Sequence, residues 1–132
     1  METSLATYVG VIGVVDDDPA VRNSLKFSLE MDGFVVGVFA DAYELLQDED
    51  PGRFCCLVVD HHLPGMKGLE LVVALRREQI SVPVVLITSN PPRALVIRAG
   101  EVGVPIVEKP LLGNALLEKI RDLMASGPAR PN

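Results

Sequence analysis

The sequence predicts an α/β domain, a doubly wound five-stranded parallel sheet with helices on both faces. Three observations carry this. Short apolar runs rich in Val, Ile and Leu recur five times, each followed by a helical pattern. The runs lack the alternation of a half-solvated strand, as befits strands covered on both sides. Most of them end abruptly in polar residues, and open sheets of this class gather their ligands at the carboxyl ends of the strands. With 132 residues the chain is read as a single domain, its core spanning about 8–125.

Tyr8 to Val15 reads as the first strand, and Asp16-Asp17-Asp18 ends it. Asp18 suits an N-cap and Pro19 a first helical position. The helix that follows extends to about Met31, where Gly33 stops it. Capping and the helix dipole account for one Asp or two, so a third beside a buried strand is surplus. Phe34 to Phe39 is a second strand, placed at a sheet edge because Gly37 interrupts it. Asp41 then caps a short helix to about Gln47.

Phe54 to Val59 is the central strand, and Asp60 follows it directly. Cys55 and Cys56 lie within it as small core residues pointing to opposite faces, in keeping with a reducing cytoplasm. A third helix covers Gly68 to Glu78. Val82 to Thr88 is the fourth strand, and the stiff Asn90-Pro91-Pro92 loop leads to a two-turn helix, Arg93 to Ala99, ending near Gly100. Val104 to Glu108 is the fifth strand; Pro105 cannot donate to a ladder, which suits an edge. The last helix covers about Gly113 to Met124, with Leu116, Ile120 and Leu123 inward. Residues 126–132 read as a frayed tail.

Bulk properties exclude several classes. Net charge is −6, from 18 acidic and 12 basic residues, which argues against a nucleic-acid-binding face. No apolar run approaches the roughly 18 residues that cross a membrane. No secretory signal is visible at the start, so the expected location is the cytoplasm.

The predicted topology brings Asp16, Asp17, Asp60, Thr88 and Lys109 to one rim. Clustered carboxylates repel unless a cation lies among them, and oxygen-only ligands suit Mg²⁺, often at phosphate chemistry. A carboxylate there can attack phosphorus, while an ammonium and a hydroxyl hold the phosphoryl oxygens.

Four motifs, 14–22 (VVDDDPAVR), 58–68 (VVDHHLPGMKG), 87–89 (ITS) and 108–110 (EKP), occur in order. Together they resemble the receiver domain of two-component response regulators, from about Val9 to Met124. The resemblance implies the flavodoxin-like strand order 2-1-3-4-5. It makes Asp60 the phosphoacceptor and assigns Mg²⁺ to Asp17, Asp60 and the backbone carbonyl of His62, with Asp16 acting through water. It makes Thr88 the switch hydroxyl and Lys109 the phosphate-sensing ammonium. His62, two residues after the acceptor, stands where family members tune access of water and hence phosphoryl lifetime. The implied partners are a histidine kinase or phosphotransfer protein and an unknown downstream protein. A stand-alone receiver, without enzymatic turnover beyond its own phosphorylation and dephosphorylation, is the expectation.

Departures from the family pattern concern output. Ile106 replaces the usual aromatic residue, Val102 stands where a helix-ending Gly is common, and the segment from Thr88 to Lys109 is one residue short. These keep open a pseudo-receiver that signals without phosphorylation. A phosphohydrolase with an aspartyl nucleophile is weaker, because His62 occupies the position of its acid/base Asp. His61 and His62 lack Cys or His partners at metal spacing and read as loop residues. Leu117 and Met124 widen the apolar stripe of the last helix; they either pack against the fourth helix or form an interface, including a homodimer through that helix.

Overall fold

The computed structural model describes residues 10–111 and 113–126. The expectations for Tyr8, Val9 and the tail beyond Ser126 lie outside the described residues. The elements are β1 (Val11–Val15), α1 (Pro19–Met31), β2 (Val35–Phe39), α2 (Ala42–Leu46), a 3₁₀ turn (Pro51–Arg53) and β3 (Cys56–Asp60). They continue with α3 (Gly68–Arg77), β4 (Val84–Thr88), α4 (Arg93–Glu101), β5 (Ile106–Glu108) and α5 (Ala115–Ser126). All strand pairs are parallel, and the order is β2-β1-β3-β4-β5, as expected. Gly37 and Pro105 do belong to the edges, β2 and the approach to β5.

Period-two alternation splits the apolar strands between two cores. Leu57, Val59, Val84 and Leu86 face one side, where Leu45, Leu69, Leu71, Leu75, Leu95 and Ala99 of α2, α3 and α4 cover them. Cys56, Val58, Val85 and Ile87 face the other, under Leu25 and Leu29 of α1 and Leu116 and Ile120 of α5. Each Val, Leu or Ile among them contributes on the order of 1.5–3 kcal/mol when fully buried. In β1, Gly13 leaves the space that Leu57 fills; a Cβ there would lie 2.6 Å from Leu57 Cδ2.

Helix ends correct several expected boundaries. α4 does not stop at Gly100 but runs through it to Glu101. The turn-forming glycine is Gly103, at φ +72°. Its N–H donates to Gly100 O (3.2 Å), and Val104 N–H donates to Ala99 O (2.9 Å). This closure satisfies two terminal carbonyls and needs the left-handed residue one place after the cap, where Gly103 stands and Val102 does not. α1 ends the same way at Gly33, φ +97°, with Phe34 N–H on Leu29 O (3.2 Å). Strand bounds tighten because pairing begins later than apolarity: β4 starts at Val84 and β5 at Ile106. α5 starts at Ala115 rather than Gly113, and it runs two residues past Met124.

Two side-chain placements also differ from expectation. Leu117 and Met124 are half-buried against the α1/α5 core rather than against α4, which packs on the opposite face. Met124 Sδ lies 3.9 Å from Cys55 Sγ. The broad stripe of α5 therefore serves the domain's own core. Cys55 precedes β3, so strand alternation does not apply to it, and it packs toward the same cluster as Cys56. Burial pushes the Cys56 thiol up to about 12.

Candidate phosphoacceptor site

The site lies at the carboxyl ends of β1, β3 and β4. Asp16 follows β1 and is fully buried; its N–H donates to Phe39 O (3.1 Å), extending the β1–β2 ladder by one rung. Asp16 Oδ1 accepts from the Asp18 N–H (2.9 Å), and Asp18 in turn caps α1 by accepting from the Ala20 N–H (2.9 Å). Those bonds divide the three acidic residues by task. Asp18 caps, Asp16 is fixed in place, and the exposed Asp17 side chain is left to solvent.

Asp60 is the last residue of β3, only 4% exposed. Its Oδ1 accepts from the His62 N–H (3.1 Å). Lys109 arrives from beyond β5, with its N–H on Thr88 O (2.9 Å). The Lys109 Nζ stands 3.4 Å from Asp16 Oδ2 and 3.4 Å from Asp60 Oδ2. One carboxylate oxygen from each of Asp16, Asp17 and Asp60 lies within 4.8 Å of the others. Thr88, at the end of β4, is fully buried, and its Oγ1 has no hydrogen-bond partner among the described residues.

The electrostatics are those of clustered carboxylates with one ammonium between two of them. Burial, then the neighbouring Asp60, raise the Asp16 carboxyl above its ordinary value, while the Asp18 N–H and Lys109 oppose the rise. A single ammonium does not compensate three carboxylates.

His61 does something that spacing did not reveal. Its backbone N–H donates to Ile87 O (2.9 Å), and its carbonyl accepts from Gly68 N–H (3.0 Å). Its Nδ1 accepts from the Leu69 N–H (3.3 Å). His61 thus caps α3 through both backbone and side chain, where Lys67 at the N-cap position has no acceptor to offer. The helix sits so close that a Cβ on Gly68 would lie 2.7 Å from Asp60 O and 2.8 Å from His61 Cα.

A capping Nδ1 must be unprotonated. Burial lowers the His61 pKa below 6.5, as do electrostatic contributions from His62, Lys67 and Arg98, against the opposing pull of Asp60. A depressed folded value means that the unfolded chain binds the extra proton first. The cap's contribution is therefore complete above about 6.5 and is lost as pH falls through the lower folded value. His61→Ala should cost about 1 kcal/mol near neutrality. In urea melts from about pH 8 to pH 5, the gap between wild type and His61→Ala should narrow on acidification. A gap independent of pH would show that Nδ1 is not the cap.

A model of the response regulator receiver domain matches residues 12–121. The chain belongs to that family. Among relatives of this receiver domain, the transcriptional regulatory protein FixJ of Bradyrhizobium diazoefficiens is 38% identical over 116 residues, covering 86% of the chain and 56% of FixJ. Nodulation protein W from the same organism is 34% identical and is covered to 51%. The chain thus spans about half the length of these curated relatives. The crystal structure of FixJ-N superposes with a TM-score of 0.81 at 31% identity, over 92% of this chain and 98% of that one. StyR gives 0.82 at 34%, over 89% and 60%.

Of the positions singled out in the sequence of this receiver, Asp16, Asp17, Asp60 and Lys109 come together. Thr88 stands on the same rim. Ile106 pairs with Leu86, and a groove of about 400 Å³ beside it is lined by Pro91, Val96, Gly100, Val104 and Glu108. No helix among the described residues is long and apolar enough to cross a membrane.

Proposed function

We propose that this receiver takes a phosphoryl group onto Asp60 from a phosphohistidine of a kinase or phosphotransfer protein. A carboxylate oxygen of Asp60 forms the new P–O bond. The P–N bond breaks, and the departing imidazole keeps the electron pair and takes up a proton. Lys109, already beside Asp60, balances the negative charge on the phosphoryl oxygens. The Thr88 hydroxyl donates to one of those oxygens. The observation that carries the reading is that hydroxyl, buried without a partner among the described residues on the rim that holds the carboxylates. A buried polar group left unsatisfied costs stability, and a phosphoryl oxygen repays it.

The donor set fits Mg²⁺: hard oxygen ligands, three carboxylates within reach of one another, and one of them, Asp16, raised by burial first and then by the charge of Asp60. Asp17, Asp60 and the His62 carbonyl would hold the ion directly, with Asp16 through water. If bound, it would supply positive charge that offsets the negative charge of the phosphoryl oxygens.

Acceptance and hydrolytic loss both occur on Asp60, so the domain is a phosphorylated signalling module of the cytoplasm and not an enzyme with a separate substrate. Its output is a protein contact or onward transfer. With Ile106 in place of an aromatic residue, the signal passes through Thr88 and the Asn90-Pro91-Pro92 loop to α4. Leu117 and Met124 pack in part against their own core, so this reading does not require association through α5.

Incubation with acetyl phosphate or an active kinase, with Mg²⁺, should add one acid-stable, base-labile phosphoryl group, and EDTA should prevent it. No incorporation from either donor would leave the fold as a pseudo-receiver.

A further inference from the structure

Arg22 closes the first of the four motifs, and nothing above gives it work. It sits four residues into α1, where a positive charge opposes the helix dipole. Helical side chains point back toward the N-terminus, and this one reaches back over the first turn. Its Nη1 donates to the Asp16 backbone carbonyl at 2.8 Å. Among the described residues, its guanidinium forms no ion pair with any carboxylate of the acidic cluster. The Arg22 N–H donates to Asp18 O (2.9 Å), the opening main-chain bond of α1, so the clamp on the loop is the side-chain bond to Asp16 O.

The Asp16 carbonyl shares its peptide plane with the Asp17 N–H, so holding one fixes the other. Asp17 makes no side-chain hydrogen bond of its own among the described residues; the loop around it is what sets its direction.

We propose that Arg22 is a positioning residue for the divalent site: by clamping the Asp16 carbonyl it orients Asp17 toward Asp60, and because its guanidinium bonds a main-chain oxygen it occupies no carboxylate oxygen itself. This rests on the Mg²⁺ reading above. It also makes a prediction opposite in sign to simple electrostatics. If Arg22 acted only through its charge, removing it would tighten binding of a cation. If it positions Asp17, removing it weakens binding.

The experiment is a Mg²⁺ titration followed by calorimetry and by amide NMR shifts, on wild type, Arg22→Met and Arg22→Lys, with thermal melts in EDTA alongside. Arg22→Met should weaken Mg²⁺ by about tenfold, as loss of an outer-shell partner does. Arg22→Lys keeps the charge without the fork and should recover only part of the affinity. Titration well below each melting midpoint keeps folding out of the comparison, and Arg22→Lys carries the test if the Met variant is unfolded. Wild-type binding with unchanged or tighter binding in the variants would overturn the positioning role alone. Failure of the wild type to bind would instead overturn the Mg²⁺ reading beneath it.

Discussion

Asp17→Asn should lower the affinity for Mg²⁺ by about a hundredfold or more. Outer-shell partners of a metal are worth about ten- to a hundredfold, and a direct ligand exceeds them. The geometry explains why Asp17 is the sensitive position. Asp16 and Asp60 are buried and each faces Lys109 at 3.4 Å, so part of their charge is already answered. Asp17 is exposed and has no such cation among the described residues, which leaves its carboxylate open to the ion. Since Asp17 lies outside the core, the amide variant should keep its melting temperature in EDTA. Calorimetric titration reads the affinity, and equal binding by Asp17→Asn and wild type would show that the carboxylate cluster is not the site.

Asp16→Asn is expected to act in the opposite direction on the metal-free protein, raising its stability by about 1–2 kcal/mol at neutral pH. The Asp16 pKa is raised in the fold by burial first and by Asp60. A raised carboxyl pKa means the folded state binds the proton more readily than the unfolded chain does. Its charge therefore costs stability above the folded value, and that cost fades as pH falls toward 3.8. The amide keeps an acceptor for the Asp18 N–H, and Lys109 retains Asp60. Urea melts in EDTA should show the variant's advantage near neutrality and its decline in acid. With saturating Mg²⁺ the order should reverse, because the wild type gains more from the ion. A variant less stable than wild type in EDTA would mean that the Asp16–Lys109 contact outweighs the repulsion.

The strands and the acidic rim were legible because their signals are local. An apolar run that stops at Asp16, Asp60 or Thr88 marks a strand end whatever packs around it, and strict strand–helix alternation dictates that the ends share an edge. Helix ends were less legible. Gly100 and Gly103 look alike in sequence, and only the backbone closure onto Ala99 shows which one adopts positive φ. The breadth of the α5 stripe was visible, but its cause was not: Met124 meets Cys55, 69 residues earlier, and no periodicity carries such a pairing. His61 and Arg22 escaped for a related reason. Their work is done at main-chain groups, the Leu69 N–H and the Asp16 carbonyl, which every residue possesses and no motif records. Thr88 was singled out by position, yet its hydroxyl, unpartnered among the described residues, depends on which side chains the fold packs around it.

The central claim is that Asp60 carries the phosphoryl group, and borohydride reduction of the phosphorylated protein tests it most directly. Reduction converts an aspartyl phosphate to homoserine, and peptide mass mapping locates the change. Homoserine at position 60 in wild type, with no reducible label in Asp60→Asn under the same donor and Mg²⁺, is the predicted result. Label that persists in Asp60→Asn, or homoserine at Asp16 or Asp17 with Asp60 unmodified, would contradict it.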